Sequence, residues 1–320
     1  LVWAREQDLP VAIIGGGSNL VVADQGWDGA AFRVAMRGIE IRRDQDGVVV
    51  EAAAGEPWDE FVEFTVAEGL AGLECLSGIP GTVGATPIQN VGAYGQEVSE
   101  VIQELAVYDR AAQQEIVLPA ALCGFGYRSS RLRSDPGRFV VLAVSFRLRP
   151  GGPPCVKYPE IERVLSVRVA TPSLTDTRNA VLETRRSKSM VIEASDPNRR
   201  SVGSFFVNPV VSAEAAESVA RLAGAAESPG FSVEGGIKIP AAWLIERSGY
   251  PRGFRRGAVG LSSRHALALV HHGGGSAAEL VDLAREIRSA VRERFGIDLR
   301  PEPRFVGFSD ADPTAVPASS

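Results

Sequence analysis

The chain has 320 residues, 45% of them hydrophobic and 23% charged, with 34 Lys and Arg against 39 Asp and Glu for a net charge of −5. At about 150 residues per domain this means two or three domains, enough to bury a large core without a disulfide or metal staple. The sequence has no basic block, no apolar run near the roughly 18 residues of a helical span and no leader pattern, which excludes a phosphate-neutralising nucleic-acid protein and a membrane-spanning one.

Cys75, Cys123 and Cys155, an odd set without C-x-x-C spacing, fit a reducing compartment. The only histidines, His265, His271 and His272, stand late and at no ligand spacing, so they read as structural and no metal is expected. Leu1 to Asp8 reads as the end of a helix. Val11 to Ile14 reads as a buried strand that runs straight into Gly15-Gly16-Gly17-Ser18-Asn19-Leu20. Val48 to Ala52 is a further strand. Trp58, Phe61, Val62, Thr65, Val66 and Leu70 recur at helical spacing and predict an amphipathic helix over 57–70.

A Gly- and Pro-punctuated stretch covers 72–95, and strands over 104–109 and 139–148 flank Gly124-Phe125-Gly126-Tyr127-Arg128. Arg149 to Pro154 has the composition of a linker or surface turn. Ser173 and Ser212 can cap helices over 174–188 and 213–224; a short helix is expected at 243–247 and a strand at 265–270. Ser276 with Glu279 makes a capping box for an apolar stripe from Leu280 to Phe295, stopped by Gly296. The tail over 309–320 is small, polar and Pro-containing, and is expected to be disordered.

Two glycine clusters carry the chemistry. The first follows a strand, but the sixth position counted from Gly15 is Leu20, so the G-x-G-x-x-G dinucleotide fingerprint fails. A glycine turn between strands can still gather N–H groups into an anion nest, with Ser18 and Asn19 as added donors. The second, Ser77 to Gly95, holds Gly78, Gly81, Gly84, Gly92 and Gly95 with Pro80 and Pro87, a backbone fixed in shape and open to close approach. Each alone reads equally as a tight structural loop. Together they suggest a pyrophosphate-bearing cofactor held by backbone amides.

The segments IGGGSNL, GLECLSGIPGTVGATPIQNVGAYG, FGYRSS, GSFFVNPVV and PEPRF, in this order between Leu1 and Phe308, resemble the UDP-N-acetylenolpyruvoylglucosamine reductase family. The resemblance implies an α+β fold: an FAD-binding part of the vanillyl-alcohol-oxidase/PCMH type built from two subdomains, and a C-terminal α+β substrate-binding domain. The implied boundaries are 1–42, completed by 297–308, for the first subdomain, 43–165 for the second and 166–296 for the substrate domain. Family chains begin further upstream, so the first subdomain is expected to be short at the front, which bears on FAD affinity.

The implied FAD is bound non-covalently by Gly15, Gly16, Gly17, Ser18, Asn19 and Leu20, by Ser77, Ile79, Pro80, Gly81, Thr82, Gly84 and Ala85, and by Gln89, Asn90, Gly92, Ala93 and Tyr94. NADPH is the implied co-substrate and a UDP-sugar enolpyruvyl ether the substrate, in a cytoplasmic monomer. The reaction puts a hydride on C3 of the enol and a proton on C2, so it needs charge stabilisation and a proton donor. By motif position Arg128 would hold the substrate carboxylate, Glu302 would stabilise the enol as an acid of raised pKa, and Ser204 would protonate C2.

Tyr127, Tyr158, Lys188, Asn208 and Lys238 match substrate contacts, and Phe231 stands where one branch of the family has a loop tyrosine. On residue type alone Arg128 reads as a surface charge, Ser204 as a turn hydroxyl, Glu302 as a strand-edge carboxylate and Lys188 as a helix C-terminal cation. The alternative function is a non-catalytic FAD-binding homologue of the same fold, or one acting on another substrate.

Overall fold

Alternating burial makes Ile102–Asp109 a strand: Leu105, Val107 and Asp109 point inward while the residues between them are partly exposed. It pairs antiparallel with Gln114–Pro119 on one side and with the long strand Phe139–Pro150 on the other. Gly47–Ala53 and Ile39–Asp44 continue that antiparallel sheet, and Leu70–Ala71 joins the far end of Phe139–Pro150. The computed structural model describes residues 1–45, 47–227 and 229–316. Contacts divide the chain into two units, Leu1–Gly17 with Gly29–Ile192, and Ser18–Asp28 with the chain from Glu193 onward.

In the first unit the helix Trp58–Ala67 lays Trp58, Phe61, Val62 and Val66 into the sheet's core, where the Trp58, Phe61 and Phe146 rings lie 5.1–6.0 Å apart. Asp59 and Glu60 in its first turn offset the helix dipole. Val11–Ile14 pairs in parallel with Ala30–Arg33. Two further helices, Pro159–Ser166 and Leu174–Ser187, pack Ile161, Leu165, Ala180 and Val181 around Cys75.

The second unit centres on the helix Ala277–Phe295, whose Leu283, Ala284, Ile287 and Val291 meet Phe205, Leu244 and Ile245. Ser276 and Glu279 form the expected capping box, Gly296 ends the helix at φ +69°, and Asp24 accepts from the Ala277 and Ala278 N–H groups. Around it stand the helices Ala213–Ala223 and Ala241–Arg247 and two three-stranded antiparallel sheets. Leu20–Val22 pairs in parallel with Arg304–Val306.

Several expectations are adjusted. The strands flanking the first glycine turn, Val11–Ile14 and Leu20–Val22, do not pair with each other and belong to different units. Helix Leu174–Ser187 groups with the first unit, because Arg178 bonds Asp59 and Val181 packs by Cys75, and the contact division falls after Ile192. Residues 265–268 make a turn and the strand starts only at Leu269. The helix Pro159–Ser166 escaped the periodicity reading, although Pro at its start with Glu160 and Glu162 is a start signal.

The tail is docked as far as residue 316. Arg288, itself buried, donates to Asp312 Oδ2 at 2.7 Å and to Thr314 Oγ1 at 2.8 Å, and Thr314 is fully buried. Expected disorder fails there because charged and hydroxyl groups, not apolar ones, do the docking. Residues 317–320 lie outside the described residues.

Trp58 ties this core to the second glycine cluster: its backbone N–H donates to Gly81 O at 3.1 Å and its Nε1–H to Leu76 O at 3.0 Å. Trp58→Phe keeps the aromatic packing but strands the buried carbonyl, an expected cost of about 1–3 kcal/mol. The check is a lower urea midpoint at an unchanged m-value.

Candidate functional site

In the first unit the two glycine clusters meet backbone to backbone. A Cβ on Gly16 would stand 2.8 Å from Gly81 Cα, and one on Gly15 would stand 2.7 Å from Thr82 Oγ1. Gly84 lies against Ala54 with even less room, 2.4 Å to its Cβ. Gly17, at φ +75°, looks onto open space. No residue from 75 to 95 is charged. The result is a stretch of bare main chain.

Beneath it lies a cation. Arg185, 7% exposed, donates to Met190 O at 2.8 Å, while its Nε has no acceptor and sits 3.3 Å from the Cβ position of Gly78. Backbone amides over a buried guanidinium suit an anion. The residues present therefore fit the pyrophosphate-bearing FAD implied by the sequence.

The loop is pinned from below. Asp59 accepts from Gly78 N at 2.6 Å and from both Nη groups of Arg178 at 2.6 and 3.1 Å. Burial alone would raise the Asp59 carboxyl, but these bonds outweigh it and hold the pKa below the ordinary range. Glu74, fully buried, accepts from Gly72 N, Gln96 Nε2 and Cys155 N at 2.7–2.9 Å.

The expected cofactor residues separate into two groups. Ile79, Pro80, Gly81, Thr82, Ala85, Gln89, Gly92, Ala93 and Tyr94 are partly exposed along the loop. Ser77 and Asn90 are not. The Ser77 hydroxyl is fully buried and donates to Glu74 O at 2.7 Å. Asn90 is 1% exposed and spends its amide on Glu97 Oε2, Gly126 O and Ser99 N. Both side chains are engaged in holding the loop, and Gly84 is buried with them. Tyr94, at φ +49°, meets Tyr158 edge-on at 5.4 Å. Burial pushes the Tyr94 phenol up to about 12, against the pull of the Arg185 guanidinium.

Arg128 tops a tight turn in which Gly126 and Ser129 exchange backbone hydrogen bonds at 3.0 Å. Its own φ is +51°, a position that favours glycine or asparagine. Its guanidinium lies 5.5 Å from the Tyr127 ring and donates to Asn90 O at 3.4 Å and Gly92 O at 2.6 Å. Lys188 follows the helix Leu174–Ser187, as the dipole reading expects, and its ammonium also pairs with Glu160 at 2.5 Å. Tyr158 is 40% exposed.

The second unit brings another set together. The segment Ser204-Phe205-Phe206 runs beside 300–302: Glu302 N donates to Phe205 O at 2.8 Å, and Phe206 bridges Pro301. Ser204 and Glu302, both half-buried, thus stand on neighbouring segments joined by an isolated bridge. Asn19 joins them, its Nδ2 3.4 Å from Glu302 O and its carbonyl accepting from Arg304 N at 3.0 Å. Ser18 and Leu20 belong to the same unit, whereas Gly15 to Gly17 belong to the first.

Asn208 Oδ1 accepts from Ala241 N at 2.8 Å, capping the helix Ala241–Arg247. Lys238 lies opposite Val210 and Phe231 in a three-stranded sheet, its ammonium 5.4 Å from the Phe231 ring centroid. Phe231 is 50% exposed. The reading from sequence missed Asp59, Arg178 and Arg185. Only Arg185 left a signal, three residues before Lys188 and so on the same helix face.

Asp59 gives a pH test. A carboxylate whose folded pKa is depressed adds stability above its unfolded value, and that stability is lost as pH falls through the folded one. Asp59→Asn should therefore melt lower than the parent protein at neutral pH, and the gap should close below about pH 4. Thermal melts of both proteins across pH 3–7 read this directly; a gap that does not change with pH overturns it.

Comparison with known proteins matches residues 196–306 to the family described as UDP-N-acetylenolpyruvoylglucosamine reductase, C-terminal domain, and residues 1–116 to an FAD binding domain. UDP-N-acetylenolpyruvoylglucosamine reductase of Thermobifida fusca is 47% identical over 314 residues, covering 94% of this chain and 86% of the relative. That of Salinispora arenicola is 48% identical over 307 residues, covering 92% and 84%. The crystal structure of the enzyme from Thermus caldophilus shares the fold, with a TM-score of 0.61 at 23% identity over 95% of this chain and 88% of that one. With its FAD-binding α+β fold and this extent of identity, the chain belongs to the UDP-N-acetylenolpyruvoylglucosamine reductase family.

Proposed function

We propose that the chain is an NADPH-dependent flavoenzyme that reduces UDP-N-acetylglucosamine enolpyruvate to UDP-N-acetylmuramate, a step of peptidoglycan precursor synthesis. FAD, when bound, would supply the hydride chemistry that links NADPH to C3 of the enol. The observation that supports the reading best is the main-chain contact of the two glycine clusters, where a Cβ on Gly16 would stand 2.8 Å from Gly81 Cα, beside a loop free of charge that suits a pyrophosphate-bearing cofactor.

Hydride addition at C3 leaves negative charge over C2 and the substrate carboxylate. Arg128 binds that carboxylate, for which a guanidinium fork is the matched partner. Glu302 lies against the developing charge and stabilises it. Ser204 passes its hydroxyl proton to C2, completing the lactyl ether, and regains a proton from solvent. By motif position Lys188 and Tyr158 of the first unit and Lys238 and Asn208 of the second are candidate contacts to the nucleotide diphosphate; at Lys188 a phosphate would compete with Glu160 for the ammonium. Gly15 to Gly17 and the 79–94 loop hold the flavin with main-chain groups. The nucleotide sugar and NADPH are cytoplasmic molecules, and the enzyme works there, as a monomer.

Purified protein carrying FAD should lose its visible flavin band on addition of NADPH and recover it on addition of the enolpyruvyl substrate. Protein that cannot be loaded with FAD, or a band that stays bleached in the presence of substrate, contradicts the reading. Ser204→Ala should leave reduction by NADPH intact and slow reoxidation by substrate by about 10²–10⁴-fold. Equal slowing of both half-reactions removes Ser204 from the proton step.

A further inference from the structure

We infer that Asn90 is the positioning residue for Arg128, acting through the turn that carries it; this rests on the reading of Arg128 as the carboxylate anchor. Arg128 occupies a left-handed backbone conformation at φ +51° that is unfavourable for a non-glycine residue and persists only where surrounding bonds over-determine it. Asn90 supplies several of those bonds. Its Nδ2 donates to Gly126 O at 3.1 Å, the first residue of the Gly126–Ser129 turn, and to Glu97 Oε2 at 2.8 Å. Its Oδ1 accepts from Ser99 N at 3.1 Å, and its backbone carbonyl receives Arg128 Nη1 at 3.4 Å.

Each side-chain contact is specific to an amide. Asn90 must both donate, to a carbonyl and a carboxylate, and accept, from an N–H. Asn90 is itself left-handed, at φ +46°, which asparagine tolerates better than most residues. The 86–92 loop and the 124–130 turn are thereby one unit, closed further by Ser130 Oγ on Ile88 O at 2.5 Å. Gly92 is the remaining piece: a Cβ there would stand 2.8 Å from Glu97 Cγ and 3.2 Å from Arg128 Nη1, so only glycine lets both side chains lie across it.

The test uses the FAD-loaded enzyme and Asn90→Gly, which keeps the left-handed backbone and deletes only the amide. The expected result is a KM for the enolpyruvyl substrate raised about tenfold, or about 1.4 kcal/mol, with the rate of flavin reduction by NADPH falling far less. A KM within twofold of the parent overturns the inference. In an Arg128→Lys background the same change should add little, because both act on one contact; full additivity also overturns it.

Arg128→Met separates the two layers. If it leaves KM untouched, the anchor reading fails. If it raises KM while Asn90→Gly does not, only the positioning role fails. Should Asn90→Gly not yield folded FAD-loaded protein, Glu97→Leu, which removes one acceptor of the amide, takes its place in the same KM and reduction-rate measurements. A raised KM with flavin reduction intact then supports the positioning role, and a KM within twofold of the parent overturns it.

Discussion

Gly16 and Gly81 touch main chain to main chain, and the rest of the first unit is arranged around that closeness. Two backbones at this distance leave no room for side chains between them. Whatever fixes the loop must therefore reach it from the protein side. Asp59 takes the Gly78 N–H, Trp58 gives its own N–H to Gly81, and Glu74 gathers three donors beneath the turn. Every one of these groups is on or beside the helix Trp58–Ala67 or the loop itself. The aromatic core under that helix thus fixes the outline of the surface above it.

The same logic accounts for three of the six described non-glycine residues with positive φ. Asn90, Tyr94 and Arg128, at +46°, +49° and +51°, fall within or against one loop. Strain gathered in one region is tolerated when bonds from several directions fix the geometry. Here the amide of Asn90, the guanidinium of Arg128 and the ring of Tyr158 against Tyr94 supply them. In the second unit no such strain is needed. The segments of Ser204 and Glu302 are held by an isolated backbone bridge, and Asn208 caps a helix.

What could be read from the sequence followed from physical range. Capping boxes and glycine stops act within a few residues, so Ser173, Ser276 and Gly296 mark helix ends wherever the chain goes. The glycine clusters were visible for the same reason: the constraint that demands glycine is written at the position itself. Asp59 with Arg178 was invisible, because 119 residues separate two charges that read singly as solvated surface. Ser77 and Asn90 show the converse. A polar side chain inside a ligand loop looks like a ligand contact, and only the structure reveals that its hydrogen bonds are satisfied by the protein. Tyr127 to Ser130 could be placed in a loop but not in a turn with a left-handed arginine, since nothing in Gly-Tyr-Arg-Ser names that φ.

The docked tail has its own corollary. The Arg288 side chain is 5% exposed and meets Asp298, Asp312 and Thr314. Two of those partners arrive only with the last stretch of chain. Trimming the chain back to Phe308 leaves a guanidinium inside the protein facing Asp298 alone, and an arginine stripped of buried partners is among the costlier defects a core can hold. A stop codon or a protease acting there would be felt along the whole of the helix Ala277–Phe295, because Arg285 and Arg292 grip the same segment through the carbonyls of Pro313 and Val316. The 312–316 segment behaves as a clasp for the helix Ala277–Phe295.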